Sequence, residues 1–131
     1  MSDELQGVEP LVLRPPALGE DVDAVAPSLT GAFAEVLAAL EAGRPVTVVV
    51  DAADLLGQGS PLDAAVATAL LGMVRTLGIE GAKPGWRVNV VAGGAEDAAA
   101  IDETVALLAG SSSLTGQLLQ VGGANLGKLP A

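Results

Sequence analysis

Cysteine and histidine are both missing from this chain of 131 residues. Without cysteine there is no disulfide and no thiolate chemistry. Without histidine the commonest general base and the commonest transition-metal ligand are gone. Tyrosine is missing too, and Phe33 and Trp86 are the whole aromatic complement. Ala, Leu, Val and Gly must therefore fill the core, which requires close helix–sheet packing. Positive charge is scarce: six basic residues stand against sixteen acidic ones, a net charge of −10. A phosphate backbone would be repelled, which argues against nucleic-acid binding. An anionic membrane surface is disfavoured for the same reason. Residues 1–9 are polar and acidic, unlike a secretory leader. The most apolar stretch, 60–78, carries Asp63 and Arg75, so no membrane span is expected and a cytoplasmic location follows. Lys, Ile and Asn occur twice each, a codon bias that suggests a GC-rich bacterial genome.

Half of the residues are apolar, and the length suits one domain with a real core. Residues 1–10 read as a polar lead-in and 11–131 as the domain. "LVL", residues 11–13, is a short strand stopped by Pro15 and Pro16. A helix over 27–42 begins at Pro27 and stops at Gly43. "PVTVVV" is β-branched without alternation, as in strands buried on both faces. "DAADLLGQG" reads as a loop. A helix over 61–78 follows, with Ser60 as N-cap, Asp63 completing a capping box and Gly78 as its stop. "IEGAKPG" is a turn and "WRVNVVA" a second apolar strand. Gly93-Gly94 make a turn into a third helix, whose acidic start holds Glu96, Asp97, Asp102 and Glu103. "QLLQVGG" is a last strand, ended at Gly122-Gly123 and followed by a Gly-rich tail. Strands alternating with helices predict an α/β fold, with about four parallel strands and helices on both faces.

The two long helices look apolar on more than one side. A helix lying on a sheet needs an apolar stripe of roughly 100°, which Leu62, Val66, Leu70, Met73 and Leu77 supply. Ala64, Ala67, Leu71 and Val74 form a second apolar side, and Phe33, Val36, Leu37 and Leu40 give the earlier helix a similar surplus. A monomer normally avoids exposing such a patch. These eight residues, Phe33, Val36, Leu37, Leu40, Ala64, Ala67, Leu71 and Val74, are therefore the expected subunit interface.

The segments "SLTGAF", "RPVTVVV", "DAADLLGQ", "ATALLGMVRTLG", "WRVNVVAGG" and "SSSLTGQLLQVGG" follow one another in an order that resembles the second half of a short-chain dehydrogenase/reductase (SDR). The run "ALLGMVRTLG" and the ending "LTGQLLQVGG" are its most specific parts, and the similarity runs from about Leu11 to Gly123. The resemblance implies a truncated Rossmann-like three-layer domain, close to the C-terminal half of ketoacyl-reductase-like members. It also implies that helices 27–42 and 61–78 pack against their equivalents in a second subunit.

The departures from the family pattern matter as much. No G-x-G-x-x-G occurs to hold a nucleotide pyrophosphate at a helix N-terminus, so no cofactor is expected. The family's active-site Asn corresponds to Ser28, its Ser to Val50 or Asp51, its Tyr to Asp63 and its Lys to Ala67. Reduction of a ketone needs a hydride donor and an acid for the developing alkoxide. An exposed carboxylate is ionised near neutral pH and inherits that work poorly. Asp51 and Asp54, just beyond a strand, suggest a carboxylate pair or a cation site, and two acids without further ligands are a weak signal of either. The expectation is a catalytically inactive subunit, with no catalytic, cofactor or metal residues. It would assemble with a full-length active SDR, stabilising it or completing its substrate pocket. The alternative is a self-associating scaffold, or a binding protein for an acyl carrier, an acyl-CoA or a small metabolite.

Overall fold

A computed structural model describes residues 9–122. Four strands form one sheet: β1 Leu11–Leu13, β2 Val46–Asp51, β3 Val88–Gly93 and β4 Leu118–Gln120. They lie in the order β1-β2-β3-β4 and every neighbouring pair is parallel. Between them run α1 Val25–Glu41, a short α2 Ala52–Leu55, α3 Pro61–Glu80 and α4 Ala98–Gly110. The predicted α/β architecture is what the chain adopts. Most of the lead-in, Gly123 and the tail 124–131 lie outside the described residues.

The uninterrupted β-branched run of β2 is explained by the two faces it serves. Val46, Val48 and Val50, with Val88, Val90 and Ala92 of β3, point towards α1 and α3. Val49 and Val91 point to the other face, where Ile101 and Leu108 of α4 cover them. Two helices thus lie on one side of the sheet and one on the other. Each Val or Leu removed from water in this way contributes about 1.5–3 kcal/mol.

Two polar side chains, buried Asn89 and half-buried Arg87, serve the backbone. Asn89, 2% exposed, lies on the α4 face of β3. Its Nδ2 donates to the Leu114 carbonyl at 3.0 Å, and its Oδ1 accepts the Gln117 N–H at 3.1 Å. It thereby holds the segment that leads into β4. Arg87 donates to the carbonyls of Ala109 and Ser111 at the end of α4, where helical carbonyls lack partners.

Several local expectations are corrected. Residues 51–59 are not all loop: Asp51 accepts the Ala53 N–H at 2.9 Å and caps the helical turn α2. The capping box at the start of α3 does not form. Ser60 instead donates to the Gly19 carbonyl at 2.6 Å, and Asp63 accepts the Leu18 N–H at 2.7 Å. Both residues pin the 17–20 loop in place of their own helix. Gly78 does not stop α3, which runs on to Glu80 with Gly81 as its C-cap. Gly93 closes β3 and is buried, so the turn begins one residue later. Gly43 does behave as a helix stop, with φ +79° just beyond α1.

By length and mean hydropathy (1.3 and 1.5) the segments Val22–Glu41 and Pro61–Glu80 could each cross a membrane. The core takes seven residues of α3 and four of α1.

Candidate functional site

In an open parallel sheet, ligands gather beyond the carboxyl ends of the strands. At the ends of β1 and β2 the structure opens a cavity of about 190 Å³, whose lining includes Pro15, Val50, Asp51, Asp54, Asp63 and Ala67. Three separate segments build it: the Pro15-Pro16 bend after β1, the β2–α2 junction and the first turns of α3. The Asp63–Leu18 hydrogen bond draws the first of these onto the third.

The cavity is acidic. Asp51 and Asp63 already accept backbone N–H groups. Asp54 is pushed above the usual carboxylate range, chiefly by burial and then by the negative charges of Asp51 and Asp63. Among the described residues no group of three or more His, Cys, Asp or Glu side chains is arranged to hold a metal ion. Such a wall favours neutral or cationic groups, and it supplies neither a phenol nor an amine.

Ser28 sits apart from this cluster. It lies beside Pro27 and Gly31 of α1 in a neighbouring groove of about 400 Å³, which shares Pro15 and Pro16 with the acidic cavity. The sequence had singled out Asp51 with Asp54. That Asp63 joins them, from a position nine residues further on, follows from the fold.

The expected interface residues are placed differently from the prediction. Val36, Leu40, Ala67, Leu71 and Val74 are buried inside this same chain, none more than 7% exposed. Helices α1 and α3 pack side by side on one face of the sheet. Each therefore needs two apolar flanks, one for the sheet and one for its neighbour. Leu37 and Ala64 are half-buried, and Phe33, at 46%, is exposed. The side of α3 turned to solvent carries Ala65, Thr68, Ala69, Gly72, Arg75, Thr76 and Ile79; on α1 it carries Thr30, Gly31, Phe33, Ala34, Glu35 and Ala38.

Residues 15–121 match the SDR-like family, described as "Short chain dehydrogenase-like protein". The chain belongs to this family. The solved structures agree on the fold of this SDR-like protein. A short chain dehydrogenase/reductase family protein aligns with a TM-score of 0.64 at 24% identity, over 92% of this chain and 69% of its own. An oxidoreductase of the short chain dehydrogenase/reductase family from Brucella ovis, in complex with a partially ordered NAD, aligns with a TM-score of 0.56 at 19% identity. That alignment covers 91% of this chain and 68% of the Brucella ovis chain. No curated protein matches. Within this family fold, Val50, Asp51, Asp63 and Ala67 line one cavity.

Proposed function

We propose that this SDR-like chain is a non-catalytic subunit that docks onto a catalytically competent SDR through the solvent sides of α1 and α3. There it would stabilise its partner or complete the partner's substrate pocket. The observation that supports this reading is the content of the cavity: its lining includes Val50, Asp51, Asp63 and Ala67, the residues that the sequence resemblance sets against the family's catalytic Ser, Tyr and Lys. A carboxylate hydrogen-bonded to the Leu18 backbone, where the family has a phenol, has a structural task and is a poor proton donor to an alkoxide. The 131 residues contain no tyrosine to take its place. The small side chains on the solvent side of α3 allow another helix to approach closely, while Phe33 and Ile79 offer it apolar contacts.

A second reading is favoured by the groove of about 400 Å³ between the Pro15-Pro16 bend and α1. In that reading the chain self-associates and uses the groove for an acyl group or a small apolar metabolite.

Light scattering on the purified chain, alone and mixed with full-length SDRs of the same organism, tests the proposal. The expected result is a hetero-oligomer that forms with one such reductase and changes its stability or turnover. A stable self-dimer indifferent to every reductase would favour the second reading. Titration with NADH and NADPH, followed through Trp86 emission, is expected to show no saturable binding. Tight binding of either would overturn the non-catalytic assignment.

A further inference from the structure

The outer edge of the sheet at β1 is open: among the described residues no strand pairs with it on that side. Leu11 and Leu13 face Val46 and Val48 in parallel register, and the Leu11 N–H donates to the Pro45 carbonyl at 2.9 Å. In a parallel ladder alternate residues bond to the same neighbour. Val12, between the two leucines, therefore turns its N–H and carbonyl outward. An extended backbone laid along the edge can match both groups.

Beside this edge lies the groove of about 400 Å³, whose walls include Leu13 and Arg14 on the strand side and Gly31 and Glu35 on α1. Helix α1 packs over β1 and β2, and α3 over β2 and β3. The groove, built from the end of β1 and from α1, is therefore on the flank of α1 turned away from α3. Gly31 lies in the interior of α1, and nothing in the described chain comes within 4 Å of a Cβ added there. A glycine in a helix interior costs about 1 kcal/mol relative to alanine, and here no neighbour in the described chain requires it. Its bareness leaves room for an occupant against the helix backbone.

Negative charge surrounds the groove. Glu20, Asp21 and Asp23, all exposed, lie in the segment between Leu18 and Ala24, which are both part of its wall. Asp51, Asp54 and Asp63 line the acidic cavity on the far side of the shared Pro15-Pro16 wall. Arg14, the base in the groove wall, already pairs with Asp102 at 3.6 Å. The N-terminal end of α1, worth about half a positive charge, offsets a small part of this.

We infer that the groove and the β1 edge together bind an extended peptide segment of another protein, with apolar side chains at alternate positions and lysine or arginine at its ends. Its backbone would pair with Val12 and its apolar side chains would enter the groove beside Leu13 and Gly31. Its basic ends would face the surrounding carboxylates. A fatty acyl chain can fill the groove, but it leaves the Val12 groups unmatched and gains nothing from the acids. The inference does not depend on the proposed subunit role, because Phe33 of the docking side does not line the groove.

The probe is a rhodamine-labelled peptide, Lys-Lys-Leu-Thr-Leu-Lys-Lys, followed by fluorescence anisotropy. Saturable binding is expected, weakened by added salt. Methylation of the three central backbone nitrogens keeps the charge but removes the pairing N–H groups, and is expected to weaken binding about tenfold. Glutamate in place of each lysine is expected to abolish it. Gly31→Leu fills the groove with a better helix former and is also expected to abolish it. Asp21→Asn combined with Asp23→Asn, both at exposed positions, is expected to weaken it about threefold, and this readout survives if the Gly31 variant fails to fold. Phe33→Glu is expected to leave saturable binding in place, so loss of assembly and loss of peptide binding are separable. Equal affinity for the methylated peptide would mean that charge alone attracts it, and would overturn the inference. So would the lack of saturation at millimolar peptide, or an affinity unchanged by whichever groove variant folds. Displacement of the peptide by an equal concentration of octanoate would overturn it in favour of an acyl ligand.

Discussion

Gly78 of α3 and Gly116, at the entry to β4, meet backbone to backbone. A Cβ on Gly78 would lie 2.7 Å from the Gly116 Cα and 2.9 Å from its N. Gly116 itself takes φ +71° and donates its N–H to the Val88 carbonyl at 2.7 Å. The contact seats the end of α3 against the loop that delivers the last strand.

Backbone cannot swing aside as a flexible side chain does. Gly78→Ala is therefore expected to destabilise the protein by about 1–3 kcal/mol, although alanine is the better helix former. Gly72 is the internal control: it lies six residues earlier in α3, with nothing within 4 Å of an added Cβ. Gly72→Ala is expected to stabilise by up to about 1 kcal/mol. Thermal melts of the two variants, moving in opposite directions, check the pair.

Asp63 serves the 17–20 loop, not its own helix. Asp63→Ala leaves the Leu18 N–H without its acceptor and is expected to cost about 1–3 kcal/mol. Amide hydrogen exchange at Leu18 should accelerate in this variant more than exchange in the first turn of α3. The reverse pattern would mean that Asp63 acts as a helix cap after all.

Asp54 has its pKa raised in the folded chain, while its ordinary value is 3.8. The folded state holds this proton more tightly than the unfolded state does. Its carboxyl therefore costs stability above the ordinary value, increasingly as pH rises through the raised one, and costs nothing well below both. Asp54→Asn is expected to raise the melting temperature at pH 7, with a gain that shrinks in high salt and vanishes in acid. Melts across a pH series, in low and high salt, measure it.

The solvent sides of α1 and α3 and their buried sides should respond differently to a charge. Phe33→Glu and Ala69→Glu are expected to abolish assembly while leaving circular dichroism and melting nearly unchanged. Leu71→Glu and Val74→Glu place a carboxylate in the core, at several kcal/mol, and are expected to unfold the chain. Light scattering beside circular dichroism distinguishes loss of assembly from loss of fold.

Much of this protein was legible in its residues, because the signals are local. The β-branched runs at 46–50 and 88–91 declare strands buried on both faces, and Gly43 declares the end of α1. What remained hidden depended on partners distant in the chain. Ser60 and Asp63 have the spacing of a capping box, yet loop 17–20 offers a donor and an acceptor that take both side chains. Gly78 looks like a helix stop because the residue that requires its bareness, Gly116, lies 38 positions away. Leu71 and Val74 look like a docking face because a helix pattern records that two sides are apolar, not which neighbour covers them. Composition and periodicity set the strand–helix order and the acidity of the chain. Only the tertiary packing decided which apolar side met the sheet, which met the neighbouring helix and which was left to solvent.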